Sequence, residues 1–135
     1  MANTVTNTLI QAGISETIYY FTLVSDGAEE TDLVIYDSSV VATALGIDDP
    51  LTSRIVEIQA EVSAAATARV KLEFDATTDV LALNLPANVN INHSFRHTSF
   101  LRNYAGAGIT GDITITTTGL ESGDLITIVL TVKPK

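Results

Sequence analysis

From Asp124 to Lys133 the chain alternates in a way that leaves few folds open. Ile126, Ile128, Leu130 and Val132 fall on one side of an extended backbone, and Leu125, Thr127, Val129 and Thr131 on the other. Successive side chains of a strand point to opposite faces, so this run offers one wholly apolar face to a core. Upstream, Ile113 and Ile115 alternate with Thr114 and Thr116, and β-branched residues suit a pleated surface. Between the two runs lies Gly119-Leu120-Glu121-Ser122-Gly123, whose glycines permit the positive φ that a turn often needs. An antiparallel hairpin over Gly111 to Lys133 is the economical expectation, although consecutive strands of a sandwich also take places in opposite sheets.

Earlier strands follow the same logic. Met1 to Gly13 is rich in Thr and Asn with few apolar residues, and is expected to be an arm leading into an edge strand. Ile18 to Val24 is aromatic and β-branched, ended by Ser25-Asp26-Gly27; its two apolar faces predict a central strand or one covered by a partner subunit. Leu33 to Tyr36 is a further strand, and Ser38 to Gly46 a turn of helix ending at the glycine. Asp48-Asp49-Pro50 reads as a turn. Arg54 to Val62 and Ala68 to Phe74 both alternate, and are expected to pair with Glu57 and Glu61 facing Arg69 and Lys71. Ser63 to Thr67 is too short for a helix and reads as loop or bulge. Val80 to Leu85 is a strand stopped by Pro86, Asn88 to Asn92 a polar turn, and Asn103 to Gly111 a glycine-bearing loop. The pattern predicts an all-β antiparallel β-sandwich of about eight strands, a jelly roll by strand number. Residues 1–13 form the arm or edge strand and 14–135 a single sandwich domain.

Composition narrows the function classes. A chain of 135 residues is long enough for one proper core. Its apolar runs are short, and none approaches the ~20 residues of a bilayer span. The first residues lack the basic and apolar regions of a secretory signal. Without cysteine there is no disulfide framework, thiolate metal site or thiol nucleophile. A net charge of −9 repels phosphate backbones and anionic lipid, so neither nucleic acid nor membrane is an expected partner; the plainer consequence of that acidity is solubility.

No residue pattern points to catalysis. The loop Asp26 to Asp32 holds four carboxylates, but their spacing is not that of an EF-hand, and a solvated acidic turn is the expected reading. His93 and His97 are four apart, yet Ser94 stands where a zinc-protease helix needs Glu. Glu73, Asp75 and Asp79 lie at a strand end and turn, where solvated charges are ordinary. There is no nucleophile elbow, P-loop or dinucleotide fingerprint. The chain is expected to be no enzyme and to need no metal or cofactor.

Three stretches carry a resemblance: Val70 to Asp79 (VKLEFDATTD), Gly111 to Gly119 (GDITITTTG) and Ser122 to Pro134 (SGDLITIVLTVKP). In this order, with Ser25-Asp26-Gly27 and Glu30-Thr31-Asp32 before them, they are similar to small virion structural proteins of tailed bacteriophages. The resemblance implies a virion component made in the host cytoplasm. Head decoration (cement) is the expected role: binding the major capsid protein on the outer surface, commonly as a homotrimer. A tail, neck or head-fibre component is the alternative, and a carbohydrate-binding sandwich module the more distant one. The lack of Trp counts against the last, since sugar rings stack on exposed aromatics. The expected contact residues come from the chain itself: Leu9 and Ile10 of the arm, with Phe95, Arg96, Phe100, Arg102 and Tyr104. Arg and aromatic side chains are the types enriched at interface centres.

Overall fold

The computed structural model describes residues 3–13, 16–46, 53–64, 67–88, 90–96 and 101–133. The Asp48-Asp49-Pro50 turn, His97 and Phe100 lie outside them. In chain order the elements are β1 (Thr4–Gln11), β2 (Thr17–Asp26), β3 (Leu33–Tyr36), α1 (Ser38–Leu45), β4 (Arg54–Ser63), β5 (Arg69–Phe74), β6 (Val80–Leu85), β7 (Asn90–Ser94), β8 (Ile113–Thr118) and β9 (Ser122–Lys133). One sheet has the order β1-β2-β9-β4-β7 and the other β3-β8-β5-β6.

All pairings are antiparallel, and four of them nest: β2 with β9, β3 with β8, β4 with β7, β5 with β6. The chain thus behaves as one long hairpin folded over on itself, then sealed by β4–β9 and β5–β8 pairing. That is the jelly roll, with β1 added at one edge. The expected hairpin of residues 111–133 is not formed, because β8 and β9 belong to opposite sheets. Nor do β4 and β5 pair; Glu57 lies opposite Thr131 and Ser94, and Lys71 opposite Thr116. Local alternation says which face of a strand is wet but not which strand lies beside it.

β9 is the centre of the larger sheet, flanked by β2 and β4. Ile126, Ile128, Leu130 and Val132 are buried as the alternation predicts, beside Phe21, Leu23, Ile58 and Val62 from its neighbours. β2 is central too: Tyr19 and Phe21 point into the core while Tyr20 stays on the outer face. Of the two readings of its apolar faces, a central strand or cover by a partner subunit, the first accounts for Tyr19 and Phe21, which are core of the single chain. In β4 both Ile55 and Val56 are buried, because a register shift between Ile55 and Glu57 inserts Val56 as an extra residue.

One segment differs from expectation and one follows it. Asn90 to Ser94 is an edge strand, and Asn90 and Asn92, which made residues 88–92 read as a polar turn, are exposed residues of it. Met1 to Gly13 includes a true strand: β1 pairs with β2 from Thr4 to Gln11. Asn7 Nδ2 donates to the Ile35 carbonyl at 2.9 Å, fastening β1 to the opposite sheet. The short helix is as expected. Asp37 caps it by accepting from Ser39 N at 3.0 Å and Val40 N at 3.4 Å, and Gly46 ends it with φ 67°.

Candidate interaction surface

A jelly roll has two ends where its connections gather, and here they are chemically unlike. One end carries the β2–β3 and β8–β9 connections, with Asp26, Glu29, Glu30, Glu121 and Asp124, and with Arg69 at the start of β5. The other end carries α1, the β5–β6 turn, the β1–β2 connection and the long return from β7 to β8. There stand Arg54, Arg96, Arg102 and Lys133, with Phe95 and Tyr104, alongside the acids Glu16, Asp37, Asp75, Asp79 and Asp112.

That second end is built rather than loose. Asp112 accepts from Ser38 N at 2.9 Å and Ser38 Oγ at 3.1 Å, and Ser38 Oγ also donates to the Thr110 carbonyl at 2.9 Å. Thr110 Oγ1 donates to Asp75 Oδ2 at 2.6 Å, and Asn103 Nδ2 to the Asp75 carbonyl at 3.3 Å. Burial pushes the Asp112 carboxyl above the usual aspartate range, Ser38 pulls it back, and the charges of Asp37 and Asp75 add to the rise. Gly108, with φ +73°, lies so close to Thr77 that an added Cβ would meet its hydroxyl and come within 2.7 Å of its backbone nitrogen. The return loop is thereby pinned to the β5–β6 turn.

Leu101 extends the larger sheet at this end, exchanging hydrogen bonds with Ile55 at 2.9 and 3.1 Å. Phe95 N donates to the Val56 carbonyl at 2.8 Å, its half-buried ring packs on the core, and its centroid is 4.7 Å from that of His93. His93 is exposed on the β7 strand, not on a helix. Arg96 forms ion pairs with Glu16 and, at 3.4 Å, with Glu57. The Glu16 carboxyl is held below its ordinary range chiefly by that hydrogen bond. Arg102 stands 5.4 Å over the Tyr104 ring, and Tyr104 is 72% exposed. Phe95, Arg96, Arg102 and Tyr104 therefore share one end of the sandwich, which also receives the end of β1.

Leu9 and Ile10 do not join them in one patch. β1 and β7 are opposite edges of the five-stranded sheet, four strand spacings or ~19 Å apart. Leu9 packs partly on the core, whereas Ile10, at a register shift, is 59% exposed. Glu16, just after β1, makes the link across to Arg96.

The structure also brings together residues that the sequence keeps apart. Carboxylate oxygens of Asp32, Glu73 and Asp79 lie within 4.8 Å of one another on the outer face of the smaller sheet. Thr116 Oγ1 donates to Glu73 at 3.0 Å, and Lys71 Nζ is 3.8 Å from it. Desolvation, then the neighbouring acids Asp79 and Glu73, raise the Asp32 carboxyl. Glu73 and Asp79 are six residues apart and stand out together in the sequence, whereas Asp32, from the β2–β3 connection, joins them only in the fold. On the outer face of the larger sheet a depression is lined by Gln59, Glu61, Asn90, Asn92 and Thr127. Its lining contains no aromatic ring on which a sugar could stack. The neighbouring outward positions of β2 and β9 (Ile18, Tyr20, Thr22, Val24; Leu125, Thr127, Val129, Thr131) carry no charge.

Comparison with known protein families, curated proteins and solved structures finds no match to this chain.

Proposed function

We propose that this protein is a non-enzymatic structural component of a tailed-bacteriophage virion: a head decoration protein that binds the major capsid protein on the outer surface and stabilises the lattice. The observation that carries this reading is the polarity of the sandwich. The end with Arg96, Arg102, Phe95 and Tyr104 is a hydrogen-bonded platform whose own acids are largely engaged: Glu16 and Glu57 by Arg96, Asp112 by Ser38, Asp75 by Thr110. The opposite end is strongly acidic. A subunit seated by the first end turns carboxylates outward, where they repel other anionic particles. Arginine and aromatic groups meet acidic or apolar patches of a lattice. The resemblance read from residues 70–79, 111–119 and 122–134 to small phage virion proteins points to the same class, with synthesis in the host cytoplasm.

Two measurements test it. Quantitative mass spectrometry of purified virions is expected to find hundreds of copies per particle. A few or dozens would move the protein to the tail, neck or head fibres, and absence would overturn the proposal. Binding of the Arg96→Ala/Arg102→Ala variant to undecorated capsids is expected to be severely weakened. Unchanged affinity in a folded variant would remove this end from the contact. Deleting residues 1–11 is the poorer experiment, because it strips β1 from β2.

A further inference from the structure

The free edge of β1 is unusual for a protein of this charge. Edge strands expose unpaired backbone donors and acceptors, and soluble proteins blunt them with charges, proline, bulges or brevity. The other three edges follow that rule. β3 has four residues and a register shift, β7 has five and is followed by the ion-paired Arg96, and β6 has six and ends at Pro86. β1 has eight residues, TVTNTLIQ, with neither charge nor proline, and its shift comes only at the end, between Leu9 and Gln11. It is hydrogen-bonded to β2 on one side, and among the described residues no strand adjoins the other. No charged side chain occurs from Met1 to Ser15, in a chain whose net charge is −9.

We propose that β1 pairs antiparallel with β1 of a second copy, about a two-fold axis through Asn7, joining two five-stranded sheets into one. Two facts select that partner and register. First, two chains of net charge −9 repel each other overall. The β1 edge, with the uncharged outward positions of β2 and β9 beside it, offers no charged side chain of its own, although Glu30 accepts from Asn3 Nδ2 at 3.0 Å just before the strand. Second, the strand is self-complementary. Directly opposed residues must share a face, so a symmetric register centres on a residue. Centred on Asn7, Val5 meets Leu9 of the second copy on the core side and Thr6 meets Thr8 on the outer side. Centring on Thr6 would set Val5 against Asn7; centring on Thr8 would set Leu9 against Asn7. Val5, now 37% exposed, would gain an apolar neighbour. Asn7 and Asn3 already fix β1 in place through the Ile35 and Ala28 carbonyls, so little order has to be gained on pairing. The proposal names a two-fold contact, in place of the three-fold ring implied by the resemblance, and stands apart from the capsid reading because it concerns the free protein.

Sedimentation of the full chain is expected to show a dimer. In Thr6→Lys/Thr8→Lys each new ammonium faces its counterpart across the axis, and the species is expected to sediment as a monomer with an unchanged circular dichroism spectrum. In the otherwise cysteine-free chain, Thr6→Cys/Thr8→Cys is expected to oxidise to a covalent dimer, with far less cross-linking for Thr8→Cys alone. A monomeric wild-type chain, a dimer that survives the lysine pair, or equal cross-linking by Thr8→Cys alone would each overturn the pairing.

Discussion

Replacing Ile128 with Ala probes the feature on which the whole sandwich rests. Ile128 is fully buried in β9, directly opposite Phe21 on one side and Ala60 on the other. The change removes three side-chain carbons, worth about 2.4 kcal/mol at ~0.8 kcal/mol each. Both neighbouring strands are hydrogen-bonded to β9 along its length, so the gap cannot close by moving the backbone. A residual cavity at ~24 cal/mol per Å³ then adds about 1–2 kcal/mol, for a total of roughly 3–4 kcal/mol. Thr127→Ala, one residue away on the half-buried outer face, is expected to cost less than about 1 kcal/mol. Urea titration followed by circular dichroism gives both values. Similar losses for the two variants, or a cost below about 1 kcal/mol for Ile128→Ala, would refute the assignment of faces.

Three further outcomes are expected. The Asp112 carboxyl titrates higher folded than unfolded, so the folded state binds the extra proton, and this group adds stability as pH falls through its folded pKa towards the unfolded value. Asp112→Asn keeps an acceptor for Ser38 and is expected to lose that acid-side gain without losing stability at neutral pH; denaturation across a pH series checks it, and a neutral-pH loss above about 1 kcal/mol would count against the role given to burial. Gly108→Ala is expected to exceed Gly27→Ala, which sits in open space at φ +99° and costs only the left-handed penalty of about 1–2 kcal/mol; thermal melts of the two variants decide. Arg96→Ala is expected to leave the urea midpoint nearly unchanged, because exposed ion pairs contribute little. A chemical melt of that variant separates a stability defect from a binding defect.

Much of the architecture is legible in residue order. The alternation of 124–133 names its buried face correctly, Gly46 ends the helix that begins at Ser38, and strand number with polar turns indicates the jelly roll. What alternation cannot carry is partnership. Residues 111–133 look like a hairpin, and 54–74 like a strand pair, yet in both cases the turn passes between sheets. A strand's inward face is set by its own hydrophobicity, whereas its neighbour is set by how the entire ribbon folds over. The same division holds for the candidate contacts. Phe95, Arg96, Arg102 and Tyr104 are adjacent in the chain and could be grouped from composition. Only the tertiary structure brings Glu16 and Glu57 to Arg96, and Asp32 to Glu73 and Asp79, because those encounters join residues 39 to 80 positions apart or different strands of one face. β7 went unread for a related reason: an edge strand with little to bury has no need of the apolar period that would reveal it. Local order here depends on which side chains avoid water, and long-range order on where backbone hydrogen bonds are completed.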